Sequence, residues 1–513
     1  MKLFLLASVF IIAVCGLVYE LLAGTVSSYL VGDSVYQFSL VMGMFMTSMG
    51  FGSFLSRYIK KRLYDWFAFV EVMTGIAGGL SSILLFFAFA KLSDYTSILV
   101  LVCVVTGTFI GLELPLIIRI MKDKETLRSA VSNVMTADYA GALFASLLFP
   151  LVLVPRLGLI RTSLLFGILN ILVALSVIKV FKKQIEEPKP LTALALAGLA
   201  LLTVLFVRSD IITSLTEDTL YKDEIIYTTN SPYQRVVVTK GKNDLRMYIN
   251  GSIQFSSMDE HRYHEALVIP AMSSAHSRKD VLIIGGGDGI AAREVLKFSD
   301  TERIKIVDID PAITDFAKNN PMMKLINKGA MSNPKVTIVN DDAWKYLEND
   351  KGTYDVIIID LPDPDNISLS RLYSTTFYRL LSKKLNAGGK IVTQATSPVY
   401  STTAFWCILN TFKAVDNPLF FDEKDENRPK LFAEGYRSYV PSFGEWGFVM
   451  ASNVPFEWDQ IKVANPGRYL DTKTLQGMND FPPDIAYEKT EPNTIDTHII
   501  KVYYEKGWNK WSI

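Results

Sequence analysis

Long apolar stretches dominate the first two hundred residues, and shorter apolar runs alternate with polar ones in the rest of the chain. Seven of these stretches approach the ~20 residues that a membrane-spanning helix needs; they lie roughly at 3–23, 36–56, 66–90, 96–120, 132–154, 160–179 and 191–207. The sequence therefore predicts a transmembrane helical region at 1–208 with about seven spans. The last stretch is short enough to lie in the membrane interface instead.

The first apolar stretch is predicted to be retained rather than removed. It lacks a small-residue cleavage site after a short apolar core, and further spans follow it, which disfavours a signal peptide.

Four acidic residues interrupt the apolar stretches. An ionisable group is costly in hydrocarbon and usually faces the interior of a helix bundle. Glu20, Glu71 and Asp138 lie near predicted span ends, where headgroup water can solvate them, so an interfacial position is favoured for these three. Glu113, close to Pro115, is the best candidate for a cavity residue.

A second region follows Arg208, where charged residues and turn signals become frequent. The segment "YQRVVVTKGKNDLRMYINGSIQFS" alternates apolar and polar residues around turns at Gly241-Lys242 and Asn250-Gly251, which predicts a small β subdomain within 209–275. From 276 to 513, strand-like runs such as "VLIIGGG", "IKIVDIDP", "KVTIVNDD", "YDVIIID" and "GGKIVTQA" alternate with helical patterns. This order predicts a Rossmann-like α/β domain with a doubly wound parallel sheet.

Charge and cysteine usage exclude several function classes. The chain of 513 residues has 52 basic and 52 acidic side chains, so it offers no global basic field for nucleic acid. The three cysteines are far apart and indicate neither a disulfide framework nor a thiolate metal site. His261 and His264 have no further ligands nearby in the sequence, so no metal site is predicted.

A glycine loop and two acids point to a nucleoside ligand. The run from Gly285 to Gly287 follows a buried strand and precedes a helix that begins near Ile290, so the backbone can approach a ligand closely. A carboxylate at Asp288 would repel phosphate, which disfavours a dinucleotide. Asp308 closes the next strand, where an acid binds ribose hydroxyls. A nucleoside without phosphate fits both acids.

Further acids follow the third and fourth strands of the predicted sheet. Asp341 and Asp342 precede a helix, where Asp342 could accept from an adenine amino group or simply cap the helix. Asp360, Asp363 and Asp365 share one turn at the carboxyl edge of the sheet, where ligands of such sheets bind. Carboxylates crowded in one place require cations.

These motifs together resemble the spermidine synthase, or polyamine aminopropyltransferase, family. The similar segments are "YQ", "NGSIQ", "DEHRYHEAL", "GGGDG", "VDIDP" and "DLPDP" followed by "LYSTTFY", and they cover about 225–450. The apolar leader and "YVPSFGEWGF" further resemble the bacterial membrane-bound branch of this family.

The resemblance implies transfer of an aminopropyl group from decarboxylated S-adenosylmethionine, a co-substrate, to putrescine or a related polyamine, giving spermidine and methylthioadenosine without a cofactor. It implies that Asp360 is the general base that deprotonates the attacking amine. Tyr263 and Asp363 would orient the diamine. The implied donor-binding positions are Gln234, Gln254, His264, Gly285, Gly287, Asp288, Asp308 and Asp342.

Two features depart from soluble relatives, and two other functions remain open. The loop "DLPDPDNIS" and Phe443 differ from the usual acceptor-side residues, so the acceptor pocket can differ in shape.

An S-adenosylmethionine-dependent methyltransferase would use a similar sheet, although Asp288 and Asp360 would repel the carboxylate of its donor. A membrane polyamine transporter or sensor with a ligand-binding domain is the other alternative.

The predicted location is the cell membrane, with a multi-pass chain in contact with the lipid bilayer. Basic residues concentrate in alternate loops, which the positive-inside rule places in the cytoplasm together with the N-terminus; they are Arg57, Lys60, Lys61, Arg62, Arg119, Lys122, Lys124, Arg128, Lys182, Lys183 and Lys189. A spanning seventh segment would then put the catalytic domain outside. Because the donor is made in the cytosol, the cytoplasmic face is favoured for that domain. A homo-oligomer is compatible with the sequence.

Overall fold

The chain folds into two compact units, Met1–Glu224 and Ile225–Ile513, called here the N-terminal and C-terminal units. The computed structural model describes residues 2–31, 34–91, 94–122, 126–209, 221, 223–231, 233–420 and 428–511. The predicted boundary after 208 is followed by residues outside this described part, and the first described strand begins at Glu224.

Apolar helices build the N-terminal unit: α1 (Lys2–Val31), α2 (Ser34–Leu55), α3 (Leu63–Lys91), α4 (Tyr95–Lys122), α5 (Leu127–Leu148), α6 (Val154–Val180) and α7 (Pro188–Val207). Because the π-helical turn Phe149–Leu153 joins α5 to α6, six continuous helical stretches of the described residues are long and apolar enough to cross a membrane. The unit is thus compatible with the predicted membrane region.

The longest stretch, Leu127–Val180, has 54 residues, and a straight helix of that length would be ~80 Å long, far more than a bilayer core. Gly158 interrupts it with non-helical backbone (φ 74°, ψ 178°). The start of α5 and the end of α6 pack in one apolar cluster with the start of α1. The end of α5 and the start of α6 pack with the second half of α1. The chain therefore reverses near Gly158.

The predicted basic loops meet at one end of the N-terminal unit. Arg119 at the end of α4 donates to the backbone oxygen of Ile59, after α2, at 2.8 Å. Residues at the start of α1 and the end of α6 lie in the same cluster. At the start of α6, Arg161 donates to Ser209, just after α7, at 2.9 Å. The end of α6 lies at the basic loops, so the start of α6 lies at the opposite end of the unit. The end of α7, which contacts the start of α6, therefore lies away from the basic loops.

The C-terminal unit begins with a four-stranded sheet of β1 (Glu224–Asn230), β2 (Arg235–Lys240), β3 (Leu245–Ile249) and β4 (Ser252–Ser256), in that order. Strands β2, β3 and β4 pair antiparallel, as the alternating pattern predicts. Asn250 (φ 50°) and Gly251 (φ 86°) form the turn between β3 and β4 with the positive φ angles that an Asn-Gly hairpin adopts. The predicted β hairpins are confirmed.

A seven-stranded sheet forms the centre of the unit, with strands β5 (Asp280–Gly285), β6 (Arg303–Asp308), β7 (Val336–Asn340), β8 (Tyr354–Asp360), β9 (Leu385–Gln394), β10 (Phe432–Val440) and β11 (Gly444–Ser452). Its order is β10-β11-β9-β8-β5-β6-β7. The five strands from β9 to β7 are parallel, which confirms the predicted α/β fold. The antiparallel edge formed by β10 and β11 was not predicted.

Helices cover both faces of this sheet: α8 (Glu260–Ser274), α9 (Ile290–Val295), α10 (Pro311–Asn319), α11 (Pro321–Ile326), α12 (Ala343–Asn349), α13 (Ile367–Ser370), α14 (Thr375–Ser382), α15 (Thr402–Lys413), α16 (Thr472–Gln476) and α17 (Ile499–Trp508). Ile283 and Ile358 face one apolar core, whereas Ile284 and Ile359 face the other. Such strands are apolar at consecutive positions because both faces are buried.

Strand register places the predicted acids at one edge. Gly285 at the end of β5 pairs with Asp360 at the end of β8, and Asp308 pairs with Asn340. The carboxyl ends of these parallel strands therefore meet where ligands of such sheets bind.

Candidate active site

The glycine loop packs directly against two of the acids. Gly285 and Gly286 have positive φ angles of 75° and 61°. A Cβ atom at Gly285 would lie 2.1 Å from the backbone oxygen of Asp360, and one at Gly287 would lie 2.5 Å from Oδ2 of Asp308. Glycine is required here because the loop backbone approaches the neighbouring strands so closely.

Asp308 is fixed by backbone amides of two loops. Its Oδ2 accepts from the amide of Gly287 at 3.0 Å and its Oδ1 from the amide of Asp310 at 2.9 Å. Burial raises the pKa of Asp308 to about 6, although these two hydrogen bonds oppose the rise. Gln234 donates from Nε2 to Oδ2 of Asp310 at 2.9 Å, so the structure brings the predicted donor-binding residues Gln234 and Asp308 to the same place.

Asp360 is the acid at the centre of the site. Its Oδ1 accepts from the hydroxyl of Tyr263 at 2.8 Å, and its Oδ2 lies 4.0 Å from Nε2 of His264. Burial raises the pKa of Asp360 to about 6; His264 opposes this rise and the nearby Asp288 adds to it. Asp288 accepts from the amide of Ile290 at 2.8 Å, and burial raises its pKa as well.

His264 carries positive charge into this acidic edge. Its Nδ1 lies 2.8 Å from the backbone oxygen of Glu260 and 3.1 Å from Oε2 of the same residue. Burial lowers the pKa of His264, but the hydrogen bond to Glu260 and the charge of Asp288 outweigh it and raise the pKa to about 9. Glu260 also accepts from Arg293 at 2.8 and 2.9 Å. The imidazolium thus partly balances the charge of Asp288 and Asp360.

Glu260 and Arg293 are site-supporting residues that the sequence reasoning did not identify. Glu260 lies in the quoted motif "DEHRYHEAL", three residues before Tyr263, so only its role was missed. Arg293 is 33 residues away from Glu260 and had no signal beyond its position in the helix after the glycine loop.

Asp363 accepts two hydrogen bonds from the segment that ends β9. It accepts from Nε2 of Gln394 at 3.1 Å and from Oγ1 of Thr396 at 3.4 Å. Tyr504 of α17 lies near the same carboxyl group and acts to lower its pKa. Burial raises the pKa of Asp363 to about 7 against these hydrogen bonds. Tyr504 was not predicted, because it lies far along the sequence from the acidic loop.

Asp342 and Gln254 have partners of their own. Asp342 caps α12 by accepting from the amide of Lys345 at 3.1 Å and also forms an ion pair with Arg371. The capping interpretation of Asp342 is thus correct, while its contact with adenine stays a prediction. Gln254 on β4 donates to the backbone oxygen of Ser252 at 3.2 Å, and its role in donor binding also stays a prediction.

Two aromatic rings pack against the ring of Tyr263. Phe443, in the turn between β10 and β11, contacts Tyr263 edge-on with ring centroids 5.8 Å apart. Phe448 lies 5.4 Å from the same ring. These contacts fix the direction in which Tyr263 presents its hydroxyl to Asp360.

Comparison with known proteins assigns this chain to a family. A family model described as the spermine/spermidine synthase domain matches residues 260–420. A polyamine aminopropyltransferase from Leptospira interrogans is 40% identical over 503 residues, covering 98% of each chain. The chain belongs to the polyamine aminopropyltransferase family. A second polyamine aminopropyltransferase, from Mycobacterium tuberculosis, is 35% identical over 522 residues, covering 98% of this chain and 96% of its own.

The match to these two aminopropyltransferases extends through the N-terminal unit, because each alignment covers 98% of this chain. A crystal structure of spermidine synthase from Thermotoga maritima is 24% identical, with a TM-score of 0.43, and covers 50% of this chain and 85% of its own. The predicted family is confirmed. The chain is an aminopropyl-transferring enzyme of polyamine biosynthesis.

Proposed function

We propose that this enzyme transfers the aminopropyl group of decarboxylated S-adenosylmethionine to putrescine, giving spermidine and methylthioadenosine. One observation supports this pair of substrates most directly. Asp288, Asp308, Asp360 and Asp363 gather at one sheet edge, with His264 as the cation between them. The resulting negative field suits a sulfonium donor with an ammonium arm and a diammonium acceptor.

The donor would lie across the glycine loop. Asp308 would accept from its ribose hydroxyls, with Gln234 beside it, and Asp342 would accept from the adenine amino group. The ion pair of Asp342 with Arg371 would have to open or shift for this contact. Asp288 would balance the ammonium of the aminopropyl arm. Gly285 and Gly287 would allow close approach, with Gln254 and His264 completing the donor side.

The acceptor would lie between Asp360 and Asp363. Asp363 and Tyr263 would orient the diamine, while Asp360 takes one proton from its attacking ammonium. The freed nitrogen lone pair then attacks the propyl carbon bonded to sulfur, and the carbon–sulfur electron pair leaves with the sulfur as neutral methylthioadenosine. The raised pKa of Asp360, about 6, makes it a stronger base than an ordinary aspartate while leaving it ionised at neutral pH.

The reaction would use decarboxylated S-adenosylmethionine as a co-substrate, without a cofactor or a metal. A sulfonium leaving group departs as a neutral thioether and needs neither an acid nor a Lewis acid. Rate enhancement would come mainly from holding nitrogen and carbon in line, together with the single deprotonation by Asp360. Catalysis would therefore depend on alignment of the two substrates.

We place the C-terminal unit on the cytoplasmic face, because its donor is made in the cytosol. The helix order of the N-terminal unit is the observation against this placement, since the end of α7 lies away from the basic loops. The bilayer and a polyamine would be its partners, without nucleic acid, and a homo-oligomer is compatible with this function.

Product analysis tests the proposed reaction. The purified full-length enzyme would be incubated with putrescine and either decarboxylated or intact S-adenosylmethionine, and the products separated by mass. We expect spermidine and methylthioadenosine in equal amounts with the decarboxylated donor only. A methylated amine with the intact donor would establish a methyltransferase, and bound amine without any product would establish a binding protein.

Asp360→Asn provides the matched control for this assay. The amide keeps the shape of the carboxyl group but cannot take a proton, so turnover should fall by about 10²–10⁴-fold. Donor affinity should change little. Near-normal turnover in this variant would remove Asp360 from the role of general base.

A further inference from the structure

Polar side chains from three helices of the N-terminal unit form one buried cluster. Glu71 and Thr74 lie one turn apart on α3. Thr74 donates from Oγ1 to Oε1 of Glu113 on α4 at 2.8 Å, and Asn170 on α6 donates from Nδ2 to Oε2 of Glu71 at 3.0 Å. Glu71 and Asn170 have no exposed surface, and Glu113 is 3% exposed. Two carboxyl groups are therefore enclosed together among the helices.

Three buried polar atoms at this cluster have no hydrogen-bond partner among the described residues: Oε1 of Glu71, Oδ1 of Asn170 and the hydroxyl of Tyr19 on α1. The ring of Tyr19 lies against α3 at Gly78 and is fully buried. Gly78 lies two helical turns after Glu71 on α3, and the Tyr19 hydroxyl is close enough for the charges of Glu71 and Glu113 to act on it. Buried polar groups in proteins are nearly always paired, so these unpartnered atoms point to a ligand.

The hydrogen-bonding capacity of these three oxygens indicates the class of ligand that they would bind. Each of the three oxygens can accept a hydrogen bond, and a primary ammonium has three N–H donors and no acceptor. Its positive charge also compensates carboxylate charge that would be costly inside the helices. A single proton on Glu71 would supply only one donor.

We propose that the cluster of Glu71, Glu113, Asn170 and Tyr19 is a second amine site, which binds a primary alkylammonium ion of the diamine or polyamine class. The choice of this class rests on the proposed function, whose acceptor and product are such ions. Because these side chains are almost completely enclosed, the site is occluded, and a ligand enters when the helices move apart.

Equilibrium binding to the full-length protein tests the second site. Radiolabelled spermidine would be titrated against the detergent-purified protein in the absence of donor, so that no turnover occurs. We expect two sites per chain. The double variant Glu71→Gln with Glu113→Gln should lose one of them, and Asp363→Asn should weaken the other. Tyr19→Phe should bind spermidine about 10-fold more weakly at the second site, the scale for a lost hydrogen bond to a charged group.

Glu20→Gln is the matched control, because Glu20 is a partly buried carboxyl on α1 outside the cluster. This variant should keep both sites, its thermal stability and its rate of methylthioadenosine release. If the double variant fails to fold, Tyr19→Phe alone carries the test, since it removes one oxygen and leaves the packed ring in place.

Several results would overturn the second site. The wild type could bind one spermidine only, or the double variant could retain two. A pH-dependent infrared carboxyl band that is lost in Glu71→Gln, without any change in spermidine binding, would establish a proton-binding site instead. Methylthioadenosine release is measured in parallel. Failure of release with two intact amine sites would refute the proposed reaction alone, and normal release with a single site would refute the second site alone.

Discussion

The hydroxyl of Tyr263 should set the pH range in which Asp360 works. It donates to Oδ1 of Asp360 at 2.8 Å and thereby lowers the pKa of this buried carboxyl, which stands at about 6. A hydrogen bond to a charged group contributes roughly 1.5–3 kcal/mol, which corresponds to about 1–2 pKa units. In Tyr263→Phe the pKa of Asp360 should therefore rise to roughly 7–8.

The expected effect is a displaced acid limb of the pH–rate profile. At pH 7 about 90% of the wild-type carboxyl is ionised, against about 10–50% in Tyr263→Phe, so the rate should fall about 2–10-fold through ionisation alone. This loss should disappear near pH 9. Methylthioadenosine release would be measured from pH 5.5 to 9.5, and the variant rate divided by the wild-type rate at each pH, which cancels the titration of the amine itself.

Tyr354→Phe is a matched control for this measurement. Its hydroxyl donates to Oδ2 of Asp350, also at 2.8 Å, but Tyr354 begins β8, at the opposite end of the strand from Asp360. It should leave the acid limb unchanged. A ratio for Tyr263→Phe that is low but constant across pH would refute the argument, and would indicate that Tyr263 only positions the diamine.

Three further predictions follow from the charges and from the helix order. Asp288→Asn should weaken binding of decarboxylated S-adenosylmethionine more than binding of methylthioadenosine, measured by calorimetry, because only the former has an ammonium arm; equal weakening would indicate a structural defect. Burial alone would raise the pKa of Glu260, but His264 and Arg293 lower it to about 2. Ionised Glu260 therefore stabilises the fold at pH values above its unfolded pKa of roughly 4.3, and this contribution is lost as the pH falls towards 2. Glu260→Gln should accordingly lower the melting temperature at pH 7 and flatten its decline in acid, and an unchanged melting curve would contradict the ion-pair assignment. A cysteine in place of exposed Lys242, with Cys407 replaced, should resist a membrane-impermeant thiol reagent until cells are lysed, whereas labelling of intact cells would place the C-terminal unit outside.

The parallel sheet could be predicted because its strands carry their own signal. Ile283 and Ile284 are apolar neighbours that face different cores, as in any strand covered on both sides. Strands β10 and β11 carry a weaker signal. In β10, buried positions mostly alternate with exposed ones such as Glu434 and Tyr439. The place of β10 and β11 at the sheet edge depends on the pairing of β11 with β9.

The membrane region shows what hydropathy alone leaves out. Glu71 lies near a predicted span end, and the sequence favours headgroup solvation for it. That interpretation is wrong, because the side chain is fully buried and hydrogen-bonded to Asn170, 99 residues further on. Hydropathy averages over a window and does not report which face of a helix a residue occupies. An acid that a neighbouring helix can satisfy therefore looks the same as one in the headgroup layer.

The acids of the candidate site were predictable as a group, and the resemblance also singled out His264, but the positive charge of His264 was not predicted. Motif order brings Asp288, Asp308, Asp360 and Asp363 to one edge, because parallel strands end together. Without compensation, so many buried carboxylates would be protonated or would destabilise the fold. The compensation comes through His264, whose charge depends on Glu260.

Under the proposed function, the protonation of His264 would therefore set how much negative charge the site offers to its ligands. Glu260 is itself held by Arg293, so the imidazolium is anchored on the side away from Asp360. Its Nε2 remains 4.0 Å from the carboxylate, too far for a hydrogen bond, and it therefore moderates the charge of Asp360 without occupying the oxygen. The negative charge that His264 leaves unbalanced is the charge that the proposed cationic substrates would neutralise on binding.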